Sequence, residues 1–287
     1  MRVTKLDEVE RRPRRIAVGE FDGVHLGHRE VIRGNDTVLT FEPHPLRVIR
    51  PEAAPRLLTS LDVKAELIAQ LDVEELVVIP FDEGFAHQSP EEFIDQVIVG
   101  ALGATHVSVG ENFRFGHRAA GDPELLAADT RFETRIVPLV EVGDEIVSSS
   151  HIRGLVLAGE VEAAARFLGG PFKLRGEVVT GDRRGRELGF PTANVIPDEA
   201  LVYPGHGIYV AHADGLCACV SVGVRPTFGT GRAVLVEAYV LDADVDLYGK
   251  TLTVEFLKRL RGERRFESVD ALVQQMHRDV ERTKEMC

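Results

Sequence analysis

A change of pattern near Gly169 constrains the fold more than any other feature of this sequence. Before it, short apolar runs alternate with stretches of helical spacing, which predicts a parallel sheet with helices on both faces. After it, apolar runs follow one another with only Gly- and Asp-containing turns between several of them, which predicts an antiparallel barrel or sandwich. We therefore expect two domains, residues 1–169 and 170–287, in line with roughly 150 residues per domain.

The predicted elements follow from this pattern. In the first domain, strands are expected at residues 14–21, 37–41, 76–80, 105–110 and 135–140, and helices at residues 60–71, 90–102 and 160–168. In the second, strands are expected at residues 174–180, 208–213, 217–222, 234–241 and 251–257, with a final helix near 268–281. Because ligands on parallel sheets bind at the carboxyl ends of the strands, motifs at those ends are the first candidates for a site.

Charge and cysteine content exclude several classes of protein. The 46 acidic residues outnumber the 34 basic ones, so a formal net charge of −12 opposes non-specific binding to nucleic acid or to an anionic membrane. No apolar run reaches the ~18 residues of a membrane span, and the N-terminus has no signal-peptide pattern. Three cysteines (Cys217, Cys219 and Cys287) suggest neither a disulfide framework nor a metal set. Cys217 and Cys219 alternate along an apolar strand, so we expect packing residues there and a reduced, cytoplasmic protein.

The strongest motif is GEFDGVHLGH, residues 19–28, where the first strand should lead into the first helix. Its glycines, including Gly19 and Gly27, allow the backbone to approach a ligand closely, and a helix start favours phosphate. His25 and His28 are three residues apart and share one face, so their rings can donate to phosphate oxygens in a transition state. Two surface histidines in a turn are the alternative, but the strand-end position favours a site.

Three further segments of the first domain suit a nucleotide site: TFEPHP (residues 40–45), GENFRFG (110–116) and SSSHIR (148–153). Asn112 can bind a base or a ribose, and the phenylalanines after it can stack on a planar ring. Ser149 and Ser150 offer hydroxyl and backbone N–H groups to phosphate, and Arg153 adds a fixed positive fork. Alone, these segments would be a helix cap and an aromatic loop anchor; their joint occurrence in order favours function.

The second domain carries GDRRGRELGFPTAN, residues 181–194. Thr192 and Asn194 are two apart on an extended segment, so their side-chain oxygens point the same way and suit Mg²⁺ beside ATP phosphates. Glu237 is one acid inside an otherwise apolar strand, where it could act as general base for an alcohol. An ordinary Gly/Pro turn and an exposed strand residue are the corresponding alternatives.

Taken together, these segments resemble the prokaryotic bifunctional riboflavin kinase/FMN adenylyltransferase (FAD synthetase) family, from about residue 14 to 283. The first motif is similar to the H-x-G-H signature of nucleotidyltransferases. The resemblance implies a Rossmann-like nucleotidyltransferase domain followed by a β-barrel riboflavin kinase domain with a terminal helix. It implies riboflavin, FMN and ATP as substrates, Mg²⁺ as cofactor, and Glu237, His25 and His28 as catalytic residues. It also implies a nucleotide- and phosphate-binding set consisting of Gly19, Phe21, Gly27, Asn112, Ser149, Ser150, Arg153, Gly181 and Arg186, with Thr192 and Asn194 at the metal.

One departure from the family pattern leaves alternatives open. Only residues 29–36 separate His28 from the next predicted strand, so the first helix must be brief. A riboflavin kinase with a degenerate adenylyltransferase domain is therefore the second hypothesis. A non-enzymatic flavin- or nucleotide-binding regulator and an adenylyltransferase for another alcohol phosphate are weaker, because the candidate catalytic residues and the second-domain motifs are present. The sequence does not predict the oligomeric state.

Overall fold

The computed structural model describes residues 1–179, 189–227, 231–241 and 249–287, without the side chains of 224–227 and 231–233. The chain forms two compact units. The first consists of Met1–Pro55 and Leu61–Ser149, and the second of Arg56–Ser60 and Ser150–Cys287. The predicted domain boundary near residue 170 remains a prediction, because the two units are defined by compactness and do not test it. Within the described residues, no helix is long and apolar enough to cross a membrane.

The first unit is built on a six-stranded sheet in which every neighbouring pair is parallel. The strands are β1 (Arg2–Lys5), β2 (Arg14–Val18), β3 (Thr37–Glu42), β4 (Glu75–Pro80), β5 (Ala104–Gly110) and β6 (Glu133–Val137), in the order β1-β4-β3-β2-β5-β6. The main helices are α1 (Leu26–Ile32), α2 (Pro45–Ile49), α3 (Leu61–Ala69), α4 (Glu83–Ala86), α5 (Pro90–Glu92, continued by a π-helix over Phe93–Ala101) and α6 (Pro123–Ala128). A two-stranded hairpin follows, β7 (Glu141–Val142) and β8 (Glu145–Ile146).

Strand β2 lies where the strand order reverses, because the chain continues to β3 and β4 on one side and to β5 and β6 on the other. Its side chains alternate between two cores: Ile16 and Val18 pack on one face of the sheet and Ala17 on the other. Both faces are therefore covered, which explains why the central strands read as continuous apolar runs. In sheets of this kind the crevice beside the reversal, at the carboxyl ends, is where ligands bind.

The short first crossover is structurally complete. Helix α1 has seven residues, as expected from the few residues available, and β2 still pairs with β3 in parallel. All five predicted strands of this domain are present, with bounds shifted by a few residues. Strand β1, the β7–β8 hairpin and the short helices α2, α4 and α6 were not predicted from the sequence.

A buried ion pair closes the amino ends of the central strands. Arg14 on β2 donates to the Glu75 carboxylate at the start of β4, and each residue is 1% exposed. Thr4 also donates to Glu75, at 2.7 Å. Burial by itself would raise the pKa of Glu75, but the hydrogen bonds from Arg14 and Thr4 and the Arg14 charge lower it to about 2.

The second unit contains two helices, α7 (beginning at Ser149 of the first unit, Ser149–Ala158) and α8 (Val161–Leu168), before a closed six-stranded antiparallel barrel. The strands are β9 (Phe172–Val179), β10 (Ala193–Pro197), β11 (Gly207–Ala213), β12 (Leu216–Thr227), β13 (Gly231–Val240) and β14 (Thr251–Arg261), joined in the order β10-β13-β12-β11-β14-β9. Helix α9 (Val269–Met286) begins after the N-cap Ser268 and packs on β11 and β12. The predicted barrel class, five of its strands and the final helix are confirmed. Where β10 lies, only an extended segment was predicted.

One expectation about the cysteines is wrong. Cys217 on β12 and Cys287 at the end of α9 form a disulfide, with their Cα atoms 6.0 Å apart. Cys219 is the free thiol, and burial raises its pKa to about 11. The bonded residues are 70 positions apart, and sequence spacing over such a distance carries no information about which cysteines meet.

Candidate functional site

The turn between β2 and α1 carries the strongest motif, and its backbone is unusual. Phe21 and Val24 have positive φ angles of 51° and 42°, and Gly23 between them has φ 85°. A left-handed conformation is costly for a branched residue such as valine, so the surrounding structure must hold it. The turn delivers His25 to the N-cap position of α1, at the carboxyl ends of the strands.

His25 and His28 form a stacked pair. Their ring centroids are 3.5 Å apart at an interplanar angle of 15°. The His28 backbone N–H donates to His25 Nδ1 at 3.2 Å, so in neutral His25 the ring proton lies on Nε2. The Phe21 ring packs edge-on against His28 at 5.4 Å, and a Cβ added to Gly27 would lie 3.3 Å from the His25 ring. The pair is thus held from several sides.

Both imidazoles are neutral at pH 7. Burial lowers the pKa of His25 to about 4. Burial, and then the charges of His25 and Lys64, hold the pKa of His28 well below its usual value. Each ring therefore has one N–H to donate, which suits a hydrogen bond to a phosphate oxygen more than exchange of a proton. The buried His28 Nδ1 atom has no hydrogen-bond partner among the described residues.

Side chains from other elements bind the carbonyl groups of this turn. Lys64 Nζ donates to the Glu20 carbonyl at 2.7 Å, and Ser149 Oγ donates to the Asp22 carbonyl at 3.0 Å. Arg29 Nε donates to the Val24 carbonyl at 3.1 Å. Ser149 was predicted as a phosphate ligand, whereas no role was predicted for Lys64.

A signal for Lys64 exists in the sequence. On α3 it shares the helical stripe of Leu61, Ala65 and Ile68, which all pack against the core, so a lysine there is out of place. It is 4% exposed.

Acidic groups surround the same turn. Burial raises the pKa of Glu20 to about 8, and the charges of Asp22 and Glu42 act in the same direction, whereas the Lys64 ammonium lowers it. The described residues contain no group of three or more His, Cys, Asp or Glu side chains placed to hold a metal ion. Because acidic groups surround the turn, an anionic ligand there would depend on attraction by the Lys64 ammonium.

The loop after β5 places Asn112 on the surface and an aromatic set behind it. The rings of Phe113 and Phe115 are stacked, 5.6 Å apart at 16°, with Phe113 half-buried and Phe115 buried. A chain of ring contacts continues from Phe115 through Phe93, Phe85, Phe81 and Phe41. Such a surface can accept a flat heteroaromatic ring.

The remaining predicted residues of the first domain are placed as follows. Gly19 is buried at the end of β2, where an added Cβ would meet the Phe21 ring at 3.1 Å. The Phe21 ring is 1% exposed, so any contact with a nucleotide would go through its backbone. Ser150 and Arg153 lie on α7 within the second unit.

In the second unit, the barrel register brings the predicted kinase residues together. Asn194 on β10 is directly opposite Glu237 on β13, so the two side chains share one face of the barrel wall. Asn194 is 5% exposed, and its Oδ1 atom has no hydrogen-bond partner among the described residues. Thr192, half-buried, precedes Asn194 by two residues. Gly181 and Arg186 lie outside the described residues.

Aromatic contacts support the segment before Thr192. The buried Phe190 ring packs edge-on against Tyr239 on β13 at 5.4 Å and against His277 on α9 at 4.9 Å. The final helix thus contacts the start of the segment that carries Thr192 and Asn194.

Comparison with known proteins assigns a family to each part of the chain. Residues 7–151 match the FAD synthetase family model, and residues 168–287 match the riboflavin kinase model. The bifunctional riboflavin kinase/FMN adenylyltransferase of Listeria monocytogenes is 36% identical, over 94% of this chain and 91% of its own. The protein of the same description from Bacillus subtilis is 37% identical, over 92% of this chain and 89% of its own.

A solved structure also matches over the full length. It is a crystal structure from Streptococcus pneumoniae, described as a macrolide-efflux protein, with a TM-score of 0.89 and 30% identity. The match covers 99% of each chain. That description belongs to the other protein, and both family models and the full-length relatives point elsewhere.

Proposed function

This chain belongs to the family of bifunctional riboflavin kinases/FMN adenylyltransferases, and on that premise we propose how its residues divide the two reactions. The enzyme phosphorylates riboflavin with ATP and then transfers the AMP part of ATP to FMN, which yields FAD and pyrophosphate. The alternative of a kinase with a degenerate adenylyltransferase domain is not favoured, since both family models match and the full-length relatives are bifunctional. We assign adenylylation to residues 1–169 and phosphorylation to residues 170–287.

For phosphorylation, the observation that carries the proposal is the pairing of Asn194 with Glu237 across β10 and β13. Glu237 accepts the proton of the terminal ribityl hydroxyl as that oxygen attacks the γ-phosphate of ATP. A carboxylate in that role needs only to be within hydrogen-bond reach of the hydroxyl. Gly181 and Arg186, outside the described residues, remain candidates for the nucleotide phosphates.

Mg²⁺ fits the same face. A buried amide oxygen without a partner is uncommon, because unpaired buried acceptors cost about 1–3 kcal/mol. Among the residues that the structure describes, Asn194 Oδ1 has none. Together with the Thr192 hydroxyl it forms a pair of hard oxygen ligands of the type that Mg²⁺ prefers. When bound there with ATP, the ion would neutralise phosphate charge.

For adenylylation, we propose that the stacked pair His25–His28 donates to ATP phosphate oxygens, where negative charge grows in the transition state. The neutral state of both rings and the Nε2 proton of His25 support this role. The reaction joins an FMN phosphate oxygen to the α-phosphorus of ATP and releases pyrophosphate, so it requires in-line positioning and no covalent enzyme intermediate.

The other residues of the first motifs would complete the nucleotide subsite. We assign Asn112 to base or ribose binding and Gly19 and Gly27 to close approach of the backbone. Ser149 hydrogen-bonds the Asp22 carbonyl, so its support of the turn accompanies any role toward phosphate. Ser150 and Arg153 remain candidates for phosphate. The half-buried Phe113 ring, backed by Phe115, is the aromatic surface that we propose for the flavin.

Two substitutions test the division of labour. In His28→Ala, FAD formation from FMN should fall about 10²- to 10³-fold while FMN formation from riboflavin stays unchanged, because one transition-state donor is lost. Glu237→Ala should have the opposite pattern. Each protein is incubated with riboflavin or FMN, ATP and Mg²⁺, and chromatography separates riboflavin, FMN and FAD.

Matched controls lie on the same units. His106→Ala removes a half-buried histidine on β5, and Glu177→Ala removes an exposed carboxylate on β9; both activities should be retained. If His28→Ala and Glu237→Ala each abolished both activities equally, the two-site assignment would be wrong.

A further inference from the structure

Lys64 is a buried cation at the adenylyl-transfer turn that the reaction scheme above does not use. Its Nζ atom donates to the Glu20 carbonyl at 2.7 Å and to Thr40 Oγ1 at 3.4 Å. Thr40 Oγ1 in turn donates to the same carbonyl at 3.2 Å. Within the described part of the chain, both partners of the ammonium are neutral oxygens. A buried ammonium that no carboxylate binds directly is costly. A buried charge that is retained at such a cost is a candidate for a functional role.

The position of this contact suggests the role. Glu20 lies between the end of β2 and Phe21, the first of the positive-φ residues in the turn. Four side chains bind the carbonyls of this strained turn: those of Lys64, Thr40, Ser149 and Arg29. Lys64 and Thr40 are buried, and Lys64 is the buried cation of the four; it comes from α3, a helix that packs against the core. The turn determines the positions of the His25 and His28 rings. A displacement of 1 Å at a reacting centre can lower the rate about 10²-fold, so the conformation of the turn affects catalysis.

We propose that Lys64 is a positioning residue for FMN adenylylation: it fastens the turn after β2 from which His25 and His28 project, and it places a positive charge beside them. The proposal rests on the assignment of adenylylation to this histidine pair. Lys64 acts through the turn and through its field, and it is not assigned a contact with either substrate.

The electrostatic surroundings support this reading. The Lys64 charge is one of the three causes that lower the pKa of His28, after burial and His25. It also opposes the effects of Asp22 and Glu42 on Glu20. With a pKa of about 8, Glu20 is mostly neutral at pH 7, so the negative charges that Lys64 opposes there are those of Asp22 and Glu42. Loss of the lysine would remove the positive charge that offsets their field around the histidines and the incoming ATP.

The test uses the full-length enzyme and two substitutions. Lys64→Met removes both the charge and the hydrogen bonds, whereas Lys64→Gln removes the charge and keeps an N–H donor. For both, kcat for FAD formation from FMN should fall, by about 10²-fold in Lys64→Met, with KM for ATP changing much less. Riboflavin phosphorylation reports on the second unit, and hydrogen exchange reports on the folding of the first unit, which contains Lys64. Lys5→Met on exposed β1 is the matched control for charge.

The decisive readout is the titration of His28, followed by NMR of ring-labelled histidine and assigned with His28→Ala. In the parent enzyme the His28 ring should stay neutral well below pH 6.5, and in both Lys64 variants its pKa should rise, because the Lys64 charge is one of the causes that lower it. The acidic limb of the pH–rate profile for FAD formation should move in parallel.

Two outcomes would overturn the proposal: a wild-type rate of FAD formation in Lys64→Met, or an unchanged His28 titration in Lys64→Gln. If the first unit does not fold in Lys64→Met, as judged by loss of hydrogen-exchange protection in that unit, Lys64→Gln decides alone. Failure of the parent enzyme to form FAD from FMN and ATP would instead refute the proposed function, and the titration would still test Lys64.

Discussion

The disulfide between β12 and the end of α9 leads to a quantitative prediction for the second unit. Cys287→Ser removes the disulfide and replaces one atom of residue 287, the sulfur, by oxygen. We expect the free energy of unfolding of this unit to fall, because the unfolded chain regains the freedom that the cross-link had removed.

The size of the effect follows from the loop that the bond closes. For a sequence separation of 70 residues, the chain-entropy relation gives a loss of ~15 cal/mol/K in the unfolded state. At 25 °C this corresponds to about 4 kcal/mol. With a urea dependence of about 2 kcal/mol per molar, the unfolding midpoint should fall by about 2 M.

The chain provides its own probe for this measurement. It has no tryptophan, and its four tyrosines all fall in the sequence of the second unit, so tyrosine fluorescence reports that unit alone. Urea unfolding is measured on protein purified without reductant, with and without dithiothreitol. Cys219→Ser is the matched control, because it removes a thiol and keeps the disulfide.

Dithiothreitol should shift the parent protein to the midpoint of Cys287→Ser and leave the variant itself unchanged. A thiol assay in denaturant should find one thiol in the oxidised parent. Equal midpoints for parent and Cys287→Ser, or a midpoint of the parent that does not respond to reductant, would refute the reasoning.

Three further predictions concern buried charges, each measured by unfolding of full-length protein with hydrogen exchange to resolve the units. The pKa of Glu75 is about 2, so its pairing with Arg14 stabilises the fold fully at pH values above the ordinary glutamate pKa, and this stability is lost as the pH falls toward 2. Glu75→Gln should therefore lower the free energy of unfolding by about 3 kcal/mol at pH 7, and parent-like stability would contradict this. The pKa of Glu20 is about 8, so its ionisation lowers the stability of the first unit as the pH rises from about 4.5 to 8. Glu20→Gln should remove this pH dependence and stabilise the first unit by about 2–4 kcal/mol at pH 9, whereas a Glu→Gln change at an exposed position should not. Asp279 binds Arg261 at 2.7 Å and is 2% exposed, so Asp279→Ala should cost about 3 kcal/mol, and a loss below 1 kcal/mol would show that the pair is dispensable.

Much of the first unit could be predicted because its central strands are buried on both faces. Strands such as β4 (Glu75–Pro80) then appear as continuous apolar runs, and the motif after β2 marks the reversal of strand order. Strand β1 (Arg2–Lys5) was missed because it lies at the sheet edge, where a short polar sequence suffices.

The site was predicted less completely, and the reasons are spatial. The chemistry of Asn194 and of Glu237 was inferred separately, but only the barrel register puts them opposite each other. Lys64 escaped notice because lysine on a helix is ordinarily exposed, so only its place in an apolar stripe could have signalled burial. Cys287 gave no hint of its partner. The roles of the site residues remain predictions for the experiments above.

The membership of Arg56–Ser60 in the second unit bears on how the enzyme can be dissected. Leu57 bridges Leu201 and exchanges backbone hydrogen bonds with Ala200 and Val202, so this short segment pairs with a part of the second unit far along the chain. A gene fragment starting at Ser150 would leave Leu201 and Val202, now 4% and 0% exposed, without that cover. A kinase without adenylyltransferase activity should therefore be made by replacing His25 and His28 in the full-length protein. No single truncation point leaves both units intact, because Arg56–Ser60 belongs to the second unit.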